Sequence, residues 1–263
     1  MHFINHLGNR GADYLHPGGK LSTDFLISEI CNHRPNRVLE LGCGTGATLI
    51  GLASQNVPEI FGVDISASQI AIAQERVQYC SLEGKIHLNL LNQSGHLEFG
   101  DDFFDIVYAE SVLAILADDD LINIMKEVKR VLKPNGIFLS NDAIWKIGVP
   151  IELINKINNR TLKDFGLIQS SAKLMGSKEW ADFLFSFGFK SCKIIEINQL
   201  AKNDNPNVSP LERASHNFTQ KKRHKSFLNP AQLFREFWYK IKLSLFHKND
   251  GNNLENIIFI LKA

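Results

Sequence analysis

Short apolar runs alternate along this chain with longer segments in which apolar residues recur every three or four positions. The short runs predict buried strands, and the longer segments predict amphipathic helices that cover them. Strands are predicted near 37–41, 59–63, 85–90, 103–108 and 135–141, and helices near 21–33, 45–54, 66–82 and 119–133. This alternation predicts an α/β protein whose parallel sheet is covered on both faces.

The helix boundaries have signals of their own. Ser22 or Thr23 is expected to be the N-cap of the first helix, and Ser66 that of the helix after the second strand. The acidic run at 118–120 would begin a later helix, where the helix dipole favours negative charge. The Pro-Asn-Gly sequence at 134–136 predicts a turn before the fifth strand.

The most specific pattern is a glycine turn after the first strand. The apolar run at 38–41 leads into Gly42, Gly44 and Gly46, and a helical pattern follows. A strand, a tight turn and a helix start in this order are typical of a nucleotide site on a doubly wound sheet. Glycine allows a positive φ and lets the backbone approach a ligand closely.

Two carboxylates narrow the class of ligand. Glu40, just before the turn, would repel a pyrophosphate but suits a cationic ammonium or sulfonium group. The glycine spacing is G-x-G-x-G, whereas dinucleotide folds use G-x-G-x-x-G. Asp64 ends the second strand, where its carboxylate can accept both hydroxyls of a ribose.

These motifs, together with the strand at 104–108 and the turn at 131–139, resemble the class I S-adenosylmethionine-dependent methyltransferases. The resemblance covers about residues 37–142. It implies a Rossmann-like, doubly wound, mostly parallel seven-stranded sheet with an antiparallel last strand, and S-adenosyl-L-methionine as cofactor. Weaker support comes from residues 179–189, the usual helix and turn before the sixth strand. The helix is predicted near 177–187, the sixth strand at 193–198 and the seventh at 256–261.

The same resemblance divides the chain into parts. The expected parts are an N-terminal flap and helix at 1–36, a cofactor-binding half at 37–143, a first lid insertion at 144–176, the rest of the sheet domain at 177–198 and 256–263, and a second lid insertion at 199–255. Both insertions would leave the sheet at its carboxyl edge, where ligands bind, so we expect them to cover the methyl acceptor. A surface decoration away from the site is the alternative.

The resemblance also assigns roles to residues. The expected cofactor-binding residues are Tyr14, Glu40, Gly42, Gly44, Gly46, Asp64, Ile65, Asn92, Gln93 and Ala109. Glu40 and the glycines would hold the methionine end, Asp64 the ribose, and Ile65 would flank the adenine. The acid usual at the adenine edge is absent. Asn92 and Gln93 take its region, and the Gln93 carbonyl can accept from an exocyclic amine.

Methyl transfer to a hydroxyl or a carbon acid needs a base, preferably one whose pKa lies near the ambient pH. His16 is the first candidate. Glu110 is the second, and with Ala109 it would lie beside the sulfonium. The segment at 14–20 is expected to close over the cofactor as a flap, with Tyr14 against it, although its Pro-Gly-Gly run also fits a simple loop and helix cap.

The second insertion contains a basic cluster at 221–225 and an amphipathic helix predicted over 230–247. The apolar stripe of this helix is expected to pack on the sheet domain. Lining an apolar acceptor pocket and contact of 221–247 with an anionic membrane surface are the alternatives. Several aromatic residues in the insertions favour an apolar or aromatic acceptor. They are Trp145, Phe165, Phe218, Phe227, Trp238 and Tyr239.

Composition adds further limits. The net charge is +1, so no nucleic-acid partner is expected. The four cysteines show no metal-ligand spacing, and no metal site is predicted. No signal peptide and no apolar run of membrane-spanning length are evident, which favours a cytoplasmic location.

Three functions fit these patterns. The first is a methyltransferase that acts on a small metabolite at N, O or C, with a membrane-soluble quinone or lipid as the alternative acceptor. The second is a nicotinamide-dependent oxidoreductase, against which Glu40 and the glycine spacing argue. The third is a non-catalytic cofactor-binding domain with a docking helix. No oligomeric state is predicted.

Overall fold

The computed structural model describes residues 13–14, 16–92, 95–200, 208–227, 239, 242 and 250–263. Its strands are β1 (Arg37–Leu41), β2 (Glu59–Asp64), β3 (Ile86–Leu90), β4 (Phe104–Glu110), β5 (Leu132–Trp145), β6 (Ser191–Glu196) and β7 (Leu254–Lys262). Within the described residues they form one seven-stranded sheet in the order β3-β2-β1-β4-β5-β7-β6. Only β7 is antiparallel to its neighbours, which are β5 and β6. The predicted doubly wound sheet with an antiparallel last strand is confirmed.

Helices cover both faces of this sheet. They are α1 (Gly19–Asn32), α2 (Ala47–Ser54), α3 (Ala67–Tyr79), α4 (Asp118–Val131), α5 (Ile151–Phe165), α6 (Gly176–Phe185) and α7 (Pro210–Phe227). Ser66 is the N-cap of α3 and accepts a hydrogen bond from the Gln69 amide, as predicted. Acidic residues occupy the first turn of α4, also as predicted.

The strand residues divide alternately between two apolar layers. Val38 and Ile106 join the layer that α1, α2 and α3 cover, whereas Leu39 and Val107 join the layer that α4 and α6 cover. This division follows from the period of two along a strand. Because β1 pairs in parallel with both β2 and β4, the carboxyl ends of these three strands lie at one edge of the sheet, where the chain continues into helices.

The predicted N-cap of α1 is wrong. The helix begins at Gly19, after Gly18 takes a left-handed conformation with φ 77°. Ser22 and Thr23 lie inside the helix, and the Ser22 hydroxyl donates to the Pro17 carbonyl at 2.7 Å. The glycine pair ends the preceding turn early, because glycine adopts a positive φ without a steric penalty.

Strand β5 is longer than predicted at both ends. It pairs with β7 from Ile137 to Trp145, so its last residues extend into the first insertion. At its start the register against β4 shifts, and Asn135 has φ 66° within the displaced segment. The Pro-Asn-Gly sequence therefore forms an irregularity at the start of the strand.

The two insertions contact each other. In the first, α5 packs on Trp145 through Ile154 and Ile157. Residues of the second reach this helix: Lys242 pairs with Asp164 at 2.7 Å, and the rings of Tyr239 and Phe165 are 6.3 Å apart. Of the helix predicted over 230–247, Tyr239 and Lys242 are described and helical. The rest, with its packing or membrane contact, lies outside the described residues.

Helix α7 was not predicted, and it packs against α2 and α3. This part of the second insertion therefore lies beside the helices that follow β1 and β2, whereas Tyr239 and Lys242 lie against α5. Among the described residues, no helix is both long enough and apolar enough to cross a membrane.

Candidate active site

The glycine turn after β1 leaves space for a ligand. Gly42, Gly44 and Gly46 have φ values of 67°, 52° and 77°, a region that side chains rarely adopt. A Cβ at Gly42 would lie 2.5 Å from Val112, whereas a Cβ at Gly44 would meet no atom within 4 Å. The Gly42 position is therefore closed by the protein, and the Gly44 position faces open space.

Asp64 braces this turn from the end of β2. Its carboxylate accepts the Gly44 amide at 2.9 Å and the Ser66 amide at 2.8 Å. Burial raises the pKa of Asp64, and the two amides oppose that rise. Since each carboxylate oxygen has a second lone pair, Asp64 can still accept hydroxyls from a ribose.

Glu40 is a buried carboxylate, 4% exposed, at the end of β1. Burial raises its pKa well above the usual range, and the neighbouring charges of Glu110 and Asp64 raise it further. The Tyr108 hydroxyl lies near enough to Glu40 to lower this pKa, but it makes no hydrogen bond of normal geometry. Glu40 Oε2 has no hydrogen-bond partner among the described residues. A cationic ligand would supply the missing partner.

Two apolar side chains are exposed at the neighbouring ends of β2 and β3. Ile65 is 52% exposed and Leu90 is 54% exposed, and Leu90 pairs with Asp64 across the strands. Exposed aliphatic groups beside the Asp64 carboxylate form a suitable wall for a planar ring. Asn92 follows this wall, whereas Gln93 lies outside the described residues.

His16 and Glu110 meet at the end of β4. His16 Nε2 lies 3.3 Å from Glu110 Oε2 and 2.9 Å from the Thr23 hydroxyl, which itself donates to Glu110 Oε2 at 3.0 Å. Glu110 Oε1 accepts the Thr48 hydroxyl at 3.1 Å. His16 Nδ1 lies 3.3 Å from Asn141 Nδ2. The N-terminal segment is thus joined to the ends of β4 and β5.

The turn after β4 is held by Asp142, which sequence reasoning missed. Its Oδ1 accepts the Ala114 amide at 3.1 Å, and the Ser140 hydroxyl donates to Oδ2. Burial raises the pKa of Asp142 to about 6. The same turn carries Val112, which closes on Gly42. Polar residues directly after the apolar start of β5 were the available signal.

Tyr14 lies beside His16, with the ring centroids 6.4 Å apart in an edge-on arrangement. Burial raises the pKa of Tyr14, and the nearby Asp13 carboxylate raises it further. Tyr14 also lines a cavity of about 640 Å³ between the N-terminal segment and α7, to which Lys20, Glu212 and Arg213 contribute. The opening next to the N-terminal segment therefore carries both signs of charge.

Most of the predicted site residues come together. Glu40, the glycines and Asp64 lie together at the carboxyl ends of β1 and β2, beside the open space at Gly44, and we call this region the groove. Ala109 is buried at the end of the neighbouring strand β4, where His16 meets Glu110. No group of three or more possible metal ligands occurs in the described part of the chain. The absence of a metal site stays a prediction.

The geometry is that of a Rossmann-like nucleotide-binding fold, and comparison with known proteins identifies its family. Residues 38–136 match the family described as "Methyltransferase domain". This part of the chain is a class I S-adenosylmethionine-dependent methyltransferase domain. This match covers the glycine turn, Asp64 and Glu110, so the predicted family is confirmed.

Relatives differ in what they are named for. An uncharacterized protein of Haemophilus influenzae is 39% identical over 140 residues, which are 53% of this chain and 55% of that protein. The O-methyltransferase rstn1 of Aspergillus nomiae is 29% identical over 182 residues, 68% of this chain and 76% of that protein. A demethylmenaquinone methyltransferase of Lactobacillus johnsonii is 32% identical over 53% of this chain and 54% of that protein. The chain therefore spans about half the length of two of these three relatives.

Solved structures share the fold at low sequence identity. Phosphoethanolamine N-methyltransferase 2 of Haemonchus contortus, in complex with S-adenosyl-L-methionine, has a TM-score of 0.65 at 17% identity, over 99% of this chain and 56% of that one. The [4+2]-cyclase SpnF has a TM-score of 0.64 at 17% identity, over 91% and 80% of the two chains. Proteins named for different reactions share this fold, so the reaction has to be argued from the site.

Proposed function

We propose that this protein transfers a methyl group from S-adenosyl-L-methionine to a small acceptor whose nucleophile is freed by removal of a proton. The observation that carries the proposal is the His16–Glu110 pair at 3.3 Å, next to a groove lined by buried carboxylates. A hydroxyl or an enol-like carbon needs such a base, whereas a neutral amine does not.

The groove suits the cofactor. Glu40, whose Oε2 lacks a partner among the described residues, would accept its ammonium group, and Asp64 would accept the ribose hydroxyls. Ile65 would flank the adenine. The open space at Gly44 would let the cofactor approach the backbone of the glycine turn. When bound, the cofactor supplies an electrophilic methyl group on a sulfonium.

His16 would act as the base through Nδ1. With the proton on Nε2, the ring donates to the Thr23 hydroxyl, which donates to Glu110 in turn. This tautomer leaves a lone pair on Nδ1, which lies 3.3 Å from both Asn141 Nδ2 and the Pro17 carbonyl oxygen. The acceptor would reach this lone pair after the ring leaves both contacts. Because both Glu110 oxygens already accept hydroxyls, Glu110 is better placed to orient His16 than to take a proton itself.

The acceptor is proposed to be a small molecule methylated at oxygen, or at a carbon activated by a neighbouring hydroxyl. Relatives named for O-methylation and for demethylmenaquinone support both forms, and a quinone precursor is the membrane-soluble alternative. The described aromatic residues give little support for an apolar pocket. Trp145, Phe165 and Phe218 are buried in packing, and charged side chains of both signs contribute to the cavity beside Tyr14.

The two insertions are proposed to shield the acceptor from water during transfer. The contacts of Tyr239 and Lys242 with α5 support this role, because they join the two insertions and a closed site excludes water. We keep nucleic acid out of the proposal, since the net charge of +1 provides no general attraction for a polyanion.

Calorimetry and a turnover assay test the proposal. S-adenosylhomocysteine should bind the purified protein, and NAD should not. Methyl transfer to a panel of phenols, alcohols and quinols should then fall by about 10²–10⁴-fold in His16→Gln, as expected for loss of a general base. The affinity for S-adenosylhomocysteine should change little. His33→Gln, at the far end of α1, is the matched control.

Two outcomes would contradict the proposal at different levels. No binding of S-adenosylhomocysteine at millimolar concentration, or tighter binding of NAD, would remove the cofactor assignment. Binding of S-adenosylhomocysteine with unchanged turnover of a hydroxyl acceptor in His16→Gln would remove only the assignment of His16 as the base.

A further inference from the structure

Arg76 is a fully buried guanidinium on α3 that contacts three separate segments of the chain. Its Nη2 pairs with Asp13 Oδ1 in the N-terminal segment at 2.7 Å and donates to the Thr45 hydroxyl in the glycine turn at 3.2 Å. Its Nη1 donates to the Ser215 hydroxyl of α7 at 2.6 Å. A planar guanidinium with donors on both sides can hold three partners at fixed angles, which an ammonium group cannot.

The partners of Arg76 also support one another. The Thr219 hydroxyl, one turn after Ser215, donates to Asp13 Oδ2 at 2.8 Å. The Phe218 ring faces the guanidinium, with its centroid 5.1 Å from Cζ. Asp13, α7 and the guanidinium therefore form one buried polar contact. Burying such a charge is unfavourable unless each partner is in place, so the contact has essentially two states, assembled or broken.

The position of Thr45 links this contact to the cofactor site. Thr45 lies between Gly44, which faces the open space, and Gly46, which is the N-cap of α2. Asp13 is followed by Tyr14 and then by His16, which lies against Glu110 at the end of β4 beside the groove. One side chain thus joins the floor of the groove to the segment that closes it.

We propose that Arg76 is a positioning residue that couples the closure of the N-terminal segment, through the docking of α7, to the geometry of the glycine turn. The second insertion then has a role at the cofactor side of the site in addition to any role at the acceptor side. The coupling is reciprocal: a bound ligand that orders the glycine turn also favours the closed N-terminal segment. This inference rests on the proposed cofactor, but its first test needs none.

The first test is hydrogen exchange of the unliganded protein. Arg76→Lys keeps the charge but cannot hold three partners, and it should raise amide exchange in 42–48, in 13–18 and in α7 together. Lys222→Met is the matched control, because Lys222 pairs with Glu75 at 2.6 Å between the same two helices without reaching the turn or the N-terminal segment. The control should leave exchange in 42–48 and 13–18 at the wild-type rate.

Two further variants separate the arms of the contact. Thr45→Val removes the hydroxyl in the turn and should raise exchange in 42–48 more than in 13–18. Asp13→Asn should do the opposite. Both keep the guanidinium and most of its contacts, so they remain informative if Arg76→Lys fails to fold.

The second test is the affinity for S-adenosylhomocysteine. Arg76→Lys should weaken binding by about tenfold, the low end for loss of a charged hydrogen-bond network, and Lys222→Met should not. Wild-type exchange in 42–48 together with unchanged affinity in Arg76→Lys would overturn the inference, and so would equal losses in Lys222→Met. If the wild-type protein does not bind this ligand, the proposed function fails, and the exchange experiment still decides the role of Arg76.

Discussion

Two buried charges meet the glycine turn in opposite conditions. Glu40 precedes the turn in β1, and its Oε2 has no hydrogen-bond partner among the described residues. Arg76 reaches the turn from α3 and is engaged by three segments at 2.6–3.2 Å. An unpaired buried charge destabilises the folded protein, so it persists where a ligand completes it. A paired buried charge holds segments of the chain together. The unpaired Glu40 is therefore suited to ligand binding, whereas the paired Arg76 is suited to holding the fold.

Among the variants that test this comparison, a replacement of Glu40 should change ligand affinity the most. Glu40→Gln keeps the shape but removes the charge, so affinity for S-adenosylhomocysteine should fall by about 10–100-fold, or 1.5–3 kcal/mol. The free energy of unfolding without ligand should stay the same or increase, because the burial penalty is removed. Calorimetry and urea unfolding measure the two quantities on the same samples.

The pH dependence sharpens the same prediction. The pKa of Glu40 is higher in the folded protein than in the unfolded chain. The contribution of this carboxyl to stability is therefore complete below the pKa it has in the unfolded chain, and it is lost as the pH rises through the pKa it has in the folded protein. Wild type should therefore lose stability with rising pH more steeply than Glu40→Gln. Glu59→Gln, whose half-exposed side chain lies at the opposite end of β2, is the matched control. A loss of unliganded stability in Glu40→Gln would break the comparison.

The sequence predicts the Glu40 side of this contrast far better than the Arg76 side. Glu40, the glycines and Asp64 stand at the ends of predicted strands, where a local pattern and a topological rule suffice. The partners of Arg76 are Asp13 and Ser215, which are distant in sequence and have no common spacing. No pattern along the chain indicates such a contact.

Helix α7 was missed for a related reason. Part of its buried face consists of Ser215 and Thr219, with Phe218 between them, so the apolar period that identifies a helix is weak. The Ser215 hydroxyl accepts a hydrogen bond from Arg76, and the Thr219 hydroxyl donates one to Asp13. A helix that packs through polar contacts can be recognised only once its partners are placed.

Asp142 provides an intermediate case, a buried carboxylate held by a backbone amide and a hydroxyl. Its pKa is raised to about 6 by burial, so its stabilising contribution is lost as pH rises through about 6. Wild type should lose about 1–2 kcal/mol of unfolding free energy between pH 5 and 7 from this group, and Asp142→Asn should lack that slope. Denaturant unfolding at several pH values measures it.

The hydroxyl of Ser140 gives a second variant for the same measurement. It donates to Asp142 and lowers the pKa of that carboxyl. Ser140→Ala should therefore move the loss of stability to higher pH. If Asp142→Asn and wild type show the same slope, Asp142 behaves as a fully satisfied charge and belongs with Arg76 in the comparison.

The smallest expected effect concerns a neutral group beside the same groove. The Ser66 hydroxyl accepts the Gln69 amide at 3.3 Å, whereas the Ser66 amide donates to Asp64 at 2.8 Å. Ser66→Ala should cost about 1 kcal/mol of unfolding free energy through the lost helix cap. It should change the affinity for S-adenosylhomocysteine by less than about twofold, because the backbone contact to Asp64 is kept. Ser66→Thr should preserve stability, and Ser54→Ala, whose hydroxyl donates within the last turn of α2, is the matched control. A large loss of affinity in Ser66→Ala would show that the Ser66 hydroxyl itself contacts the ligand. The neutral cap and the charge of Glu40 would then both contribute to the binding free energy.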